Sequence, residues 1–105
     1  MIQRTRVFIF IFFHIANCYC NSQLYTVQNS TNVSNTFHQK NLISETLKLS
    51  KFQCLAECNK NLACASVAYS IDQDANTNCF LYNNTVNVSD RISSNEFKLF
   101  QKSMI

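Results

Sequence analysis

The chain has 105 residues, enough for one domain, with nine Lys/Arg against six Asp/Glu and a formal charge of +3. Two of the basic residues, Arg4 and Arg6, stand ahead of an apolar run. Without them seven basic residues face six acidic ones, a balance near +1 that gives no electrostatic footprint for nucleic acid or an anionic membrane.

Val7 to Ala16 (VFIFIFFHIA) is apolar except for His14. A basic start, a short apolar core and a small-residue exit form the layout of a secretory signal peptide. A spanning helix needs about 20 apolar residues. This run is half that length, and Asn17, Asn21, Ser22 and Gln23 follow it. We expect a leader over 1–20 and no stable membrane span once it is removed. Cleavage after Cys18 would place Ala16 and Cys18 before the cut; cleavage after Cys20 would place Cys18 and Cys20 there. Cysteine arithmetic favours the second, since it leaves an even set of four: Cys54, Cys58, Cys64 and Cys79. The remaining chain, about 85 residues, buries only about 60% of its unfolded surface, so covalent staples would help it.

Leu24 to Gln28 (LYTVQ) alternates and predicts a strand, followed by a polar link over 29–35, so that 21–41 forms an N-terminal strand and link ahead of a domain core over 42–101 and a tail over 102–105. Thr36 to Leu49 has a mixed pattern that predicts one or two short strands. Ser50-Lys51-Phe52-Gln53 is a capping box, and the helix formers Gln53, Leu55, Ala56 and Glu57 extend it to Lys60. On that helix Cys54 and Cys58, four apart, share a face, with Leu55 and Leu62 as a neighbouring apolar stripe. Cys64 to Ser70 predicts a strand with Ala65, Val67 and Tyr69 on one side and Cys64, Ser66 and Ala68 on the other. A polar turn over 71–78 separates it from a short strand, Cys79 to Tyr82, and Phe97 to Gln101 alternates as a last strand.

The chain has no Gly and no Pro. Turns that need a positive φ must use another residue, and Asn tolerates that region best. Asn76, Asn78, Asn83, Asn84, Asn87 and Asn95 are therefore expected as turn residues. The glycosylation acceptor Asn-x-Ser/Thr occurs at Asn29, Asn32, Asn83 and Asn87, which with a leader marks expected surface positions and at least one attached glycan.

The four retained cysteines follow the spacing C-x3-C-x5-C-x14-C, which allows three pairings. The stretches Phe52-Gln53-Cys54-Leu55-Ala56-Glu57-Cys58, Asn61-Leu62-Ala63-Cys64-Ala65-Ser66-Val67-Ala68-Tyr69 and Cys79-Phe80-Leu81-Tyr82 together resemble a PAN/apple domain over about 42–82. The resemblance implies nested disulfides, Cys54–Cys79 and Cys58–Cys64, and an α+β fold with a small antiparallel sheet and one helix packed across it. Many apple domains carry a further disulfide between their terminal strands. No cysteine remains for it here, so the ends are expected to fray more.

Other chemistry finds little support. Zinc sites use two closely spaced cysteine pairs, and only Cys54 and Cys58 qualify. A catalytic cysteine needs a positioned base; His38, the one histidine after the leader, sits in a polar stretch and is expected at the surface. Asp72 and Asp74 lack the glycine and twelfth-position acid of a calcium loop. Tyr69 and Tyr82 could line a binding patch but fit a core as well. We expect no enzyme, no cofactor and no metal. The resemblance implies a secreted, extracellular binding module for protein or glycan; the alternative is a disulfide-rich effector, such as a toxin or protease inhibitor.

Overall fold

A computed structural model describes residues 24–72 and 74–103. The expected leader, its cleavage point, Cys18 and Cys20 lie outside the described residues.

Among the described residues five strands, β1 (Tyr25–Val33), β2 (Leu42–Thr46), β3 (Ser66–Ser70), β4 (Cys79–Tyr82) and β5 (Arg91–Lys102), form one sheet in the order β1-β5-β3-β4-β2. Every pairing is antiparallel. Helices α1 (Asn35–Asn41) and α2 (Lys51–Lys60) accompany it among the described residues, with a 3-10 turn at Val88–Asp90. This is the α+β disulfide-stapled fold that the resemblance implied, with one helix more.

Helix α2 follows its local code. Ser50 Oγ accepts from the Gln53 amide at 3.3 Å, and Gln53 Oε1 reaches back to accept from the Leu49 amide at 2.9 Å, one residue beyond the usual capping-box partner. At the other end Lys102 Nζ donates to the Cys58 carbonyl at 3.1 Å, setting a cation on the negative end of the helix dipole. The inward face carries Cys54 and Cys58, both fully buried. Cys54 is joined to Cys79 at the head of β4, and Cys58 to Cys64 just before β3. The tetrathiolate alternative is thereby excluded. Leu55 packs beside the disulfides, but Leu62 lies past the helix end and is 97% exposed, so it continues no stripe.

Alternation along β3 and β4 sorts the core into two clusters, one on each face. Val67, Leu81 and Phe100 pack with the four cysteines beneath α2; Ala68, Tyr82 and Leu99 pack with Val33, Phe37 and Val86 on the opposite face. The register explains this directly: Val67 lies opposite both Leu81 and Phe100, and Ala68 opposite Leu99. Cys64 falls on the Val67 side, not with Ser66 and Ala68 as the alternation implied, because the strand begins only at Ser66 and the preceding turn resets the phase.

Three local expectations are corrected. The polar link over 29–35 is instead the outer half of β1 and the start of α1. The first half of Thr36–Leu49 is helical, and only Leu42–Thr46 is a strand. Helix α1 has only Gln39 and Lys40 as good formers; it is held by the Ser34 cap, whose Oγ accepts from the Phe37 amide at 3.2 Å, and by burial of Phe37. Finally, the positive-φ residue among those described is Ser30 (φ 53), at the point where β1 and β5 shift register, and not an asparagine. Asn95 lies within β5. Asparagine serves turns here through its amide: Asn61 Oδ1 accepts from Ala63 N, and buried Asn78 both accepts from Lys48 N and donates to Lys48 O, at 2.8 Å each.

The terminal strands close on each other without a disulfide. Tyr25 lies opposite Lys102, Ser103 N donates to Leu24 O, and the Tyr25 hydroxyl donates to the Leu55 carbonyl and Asn59 Oδ1 of α2. Burial pushes the Tyr25 phenol up to about 12.

Candidate functional site

The face beneath α2 is covered by that helix and its disulfides. The opposite face is only partly covered, because α1 is two turns long and lies over one end of it. Between α1 and the sheet runs a cleft of about 190 Å³, lined by Asn32 and Val33 from β1, Asn35 and His38 from α1, Phe80 and Tyr82 from β4, and Phe97 from β5.

Local structure puts each side chain there. Strand alternation aims Phe80 and Tyr82 to the same face. Phe37 anchors α1 by packing edge-on against Tyr82 with ring centroids 5.3 Å apart, and one residue further His38 reaches the cleft. His38 Nδ1 shares a 2.8 Å hydrogen bond with the Tyr82 hydroxyl. Its ring lies 5.9 Å from Phe80, and Phe80 lies 6.0 Å from Phe97. The result is a continuous half-exposed aromatic floor, His38–Phe80–Phe97, backed by buried Tyr82. Burial, with the Glu45 carboxylate adding to it, holds the Tyr82 phenol far above its usual range, so it keeps its proton and can donate to Nδ1 of a neutral imidazole. The cleft's polar rim is made of amides: Asn35 is exposed, and half-buried Asn32 has its Oδ1 engaged by the Val33 amide.

The chemistry of this set is contact chemistry. Half-exposed rings offer flat apolar surface with a polar edge, and carboxamides both donate and accept. No carboxylate lines the cleft. Glu57 is across the sheet with Lys48 and Lys60, and Asp72 lies in the β3–β4 loop, where its Oδ1 accepts from the Asp74 amide. Glu45, opposite Phe80 in the β2–β4 register, acts on the Tyr82 phenol, and among the described residues no hydrogen bond or ion pair joins it to His38; the structure moves His38 from the expected open surface into this cleft. Of the two tyrosines, Tyr82 is core and Tyr69 is half-buried on the disulfide face. Among the described residues no three His, Cys, Asp or Glu side chains gather to hold a metal ion, and no helix is long and apolar enough to cross a membrane.

The four glycosylation acceptors divide. Asn29, Asn83 and Asn87 are exposed, while Asn32 is half-buried in the cleft wall. The cleft itself was not legible in the chain, since His38 and Tyr82 are 44 positions apart and meet only through tertiary packing. The usable signal was Ser34, a capping residue ahead of Phe37.

No curated protein and no solved structure matches the chain significantly. The family model of the PAN domain matches residues 17–104, which takes in both outer strands as well as the cysteine-bearing centre. With the nested Cys54–Cys79 and Cys58–Cys64 bridges pinning one helix across a five-stranded antiparallel sheet, the chain belongs to the PAN domain family.

Proposed function

We propose that this PAN domain is a secreted, non-catalytic binding module that takes an extracellular protein or glycan in the cleft between α1 and the sheet. The observation that carries the reading is the His38–Phe80–Phe97 floor with the Asn32 and Asn35 amides at its rim. Burying those half-exposed rings supplies apolar contact, and the amides supply direction. A basic, apolar leader over 1–20 and two disulfides support secretion. Exposed acceptors at Asn29, Asn83 and Asn87 support glycosylation of the same product.

The test is to express the full chain in a eukaryotic secretory host and screen it against arrayed glycans and extracellular proteins. Asn35→Trp is then measured on every hit. Asn35 is exposed, so a bulky ring there fills the cleft without disturbing the core. Binding should weaken at least tenfold. Unchanged binding by Asn35→Trp would place the ligand elsewhere, and turnover of any hit would remove the non-catalytic part of the reading.

A further inference from the structure

Strand β1 is an outer strand of the sheet: among the described residues β5 alone pairs with it. An outer strand turns half of its backbone N–H and C=O groups to the side, where another strand can bond to them. The ladder says which residues do so. Ser103 N donates to Leu24 O, one step along the register from Tyr25 and Lys102, and Ser34 N donates to Asp90 O, one step beyond Val33 and Arg91. Antiparallel pairs alternate between bonded and unbonded. Thr26 and Gln28 therefore bond to β5, while Tyr25, Val27 and Asn29 face outward. Beyond the register shift Asn32 bonds to β5, and Thr31 and Val33 face outward.

The two halves of this edge differ. In the outer half the chain closes its own groups: the Thr31 hydroxyl donates to the Asn29 carbonyl at 2.9 Å, and Asn32 Oδ1 accepts from the Val33 amide at 2.8 Å. The irregularity at Ser30 adds a kink that a straight partner strand does not match. The inner half has no such device. Among the described residues no side chain caps the Tyr25 or Val27 backbone, and Val27 is 50% exposed. Charged residues and proline commonly guard an edge, and Tyr25–Val33 contains neither. The other outer strand, β2, is five residues long and carries Glu45.

At the boundary of the two halves stands Asn29, exposed and the acceptor of the triplet Asn29-Ser30-Thr31. Alternation sets it on the face of Val27 and Tyr25, with Lys98 and Phe100 of β5 inward of it. A sugar on Asn29 thus extends over the free side, into the lane about 4.8 Å away that a pairing strand would take. Tyr25–Asn29 (YTVQN) is uncharged, so two bare copies meet across a two-fold axis at Val27 without repulsion.

We propose that Asn29 carries an N-linked glycan that guards the β1 edge, and that without it a second copy pairs there, its β1 antiparallel to this one. The oligosaccharide comes from a lipid-pyrophosphate donor of the secretory pathway. The bond from sugar C1 to the pyrophosphate oxygen breaks, C1 bonds to Asn29 Nδ2, that nitrogen gives up one proton, and the lipid pyrophosphate leaves. The inference rests on the secretory reading above and is independent of what the aromatic cleft binds.

The test secretes the full chain from a eukaryotic host and maps its acceptors by glycopeptide mass spectrometry. Sedimentation velocity from about 1 to 200 μM then compares it with Asn29→Gln, Asn83→Gln and the double variant Val27→Lys, Asn29→Gln. Circular dichroism and disulfide mapping check that each variant keeps the fold. Asn29 is expected to be occupied and the unaltered chain monomeric. Asn29→Gln should self-associate at least tenfold more tightly, with slowed hydrogen exchange at the Val27 amide. Asn83→Gln should not, and the added Val27→Lys should restore the monomer. A bare Asn29 beside an occupied Asn83 or Asn87 overturns the guard and leaves the secretory reading standing; a chain retained in the cell with every acceptor bare overturns both. Asn29→Gln that associates no more tightly than the glycosylated chain, association equally caused by Asn83→Gln, or association indifferent to Val27→Lys overturns the proposal as well.

Discussion

The two disulfides close loops of different length, and their removal should cost different amounts. Cys54–Cys79 spans 25 positions and Cys58–Cys64 spans six. If a bridge acts mainly by restricting the unfolded chain, the longer loop contributes about 3.5 kcal/mol and the shorter about 2.4 kcal/mol. A domain of this size has about 5–15 kcal/mol in total. At roughly 4–8 °C per kcal/mol, replacing Cys54 and Cys79 together by Ala should lower Tm by about 14–28 °C, and replacing Cys58 and Cys64 by about 10–19 °C. All four sulfurs are buried in one cluster with Val67, Leu81 and Phe100, so the packing lost is similar for both pairs and the difference isolates the loop. Scanning calorimetry of the two double variants gives the comparison, with urea unfolding to confirm a common cooperativity. If the Cys58/Cys64 variant proves equally or more destabilised, chain entropy is not what orders them, and the anchoring of α2 to its following turn is.

Three further outcomes are expected. Asn78→Ala leaves the Lys48 amide and carbonyl without their partner and should cost about 1–3 kcal/mol, read from urea midpoints; a neutral result means that water replaces the amide. Phe37→Ala should cost about 3–5 kcal/mol and, on the binding role proposed for the cleft, also abolish binding of any ligand found there, since Phe37 is what holds α1 to Tyr82; retained binding would show that α1 does not form the cleft wall. Alkaline stability should fall as pH rises from 10 toward 12. The phenols of Tyr25 and Tyr82 are raised by burial, so above pH 10 the unfolded chain loses protons that the folded chain keeps. Lys102, lowered by burial, acts in the opposite sense below its ordinary 10.5, and Lys102→Met should remove that part. Phenolate absorbance of the folded chain titrating at the ordinary value of 10 would refute the tyrosine assignment.

Legibility from the sequence followed locality. Helix α2 was readable because its start is written in four consecutive residues, Ser50 to Gln53, and its cysteines share a face by helical spacing. Strands β3 and β4 were readable because alternation is a property of neighbours. Helix α1 was not, because Asn35 to Asn41 has little intrinsic helical preference; its stability comes from Phe37 meeting Tyr82 and from Ser34 N bonding to the Asp90 carbonyl, 56 positions away. The outer half of β1 was hidden for a similar reason: Thr31, Asn32 and Val33 become strand by pairing with Ser93, Ile92 and Arg91.

The amino-acid sequence by itself determined a small α+β domain and the position of its main helix, since both rest on short-range spacing; the pairing of the cysteines came from the likeness to PAN domains, because the spacing alone allows three. Tertiary structure alone decided which surfaces are available for function. The aromatic cleft exists because α1 is too short to cover the sheet. The open inner half of the β1 edge exists because the sheet order leaves β1 outermost and its side-chain caps reach only the outer half. Both depend on which groups the rest of the fold leaves uncovered, a quantity set by contacts between distant segments and absent from any local pattern.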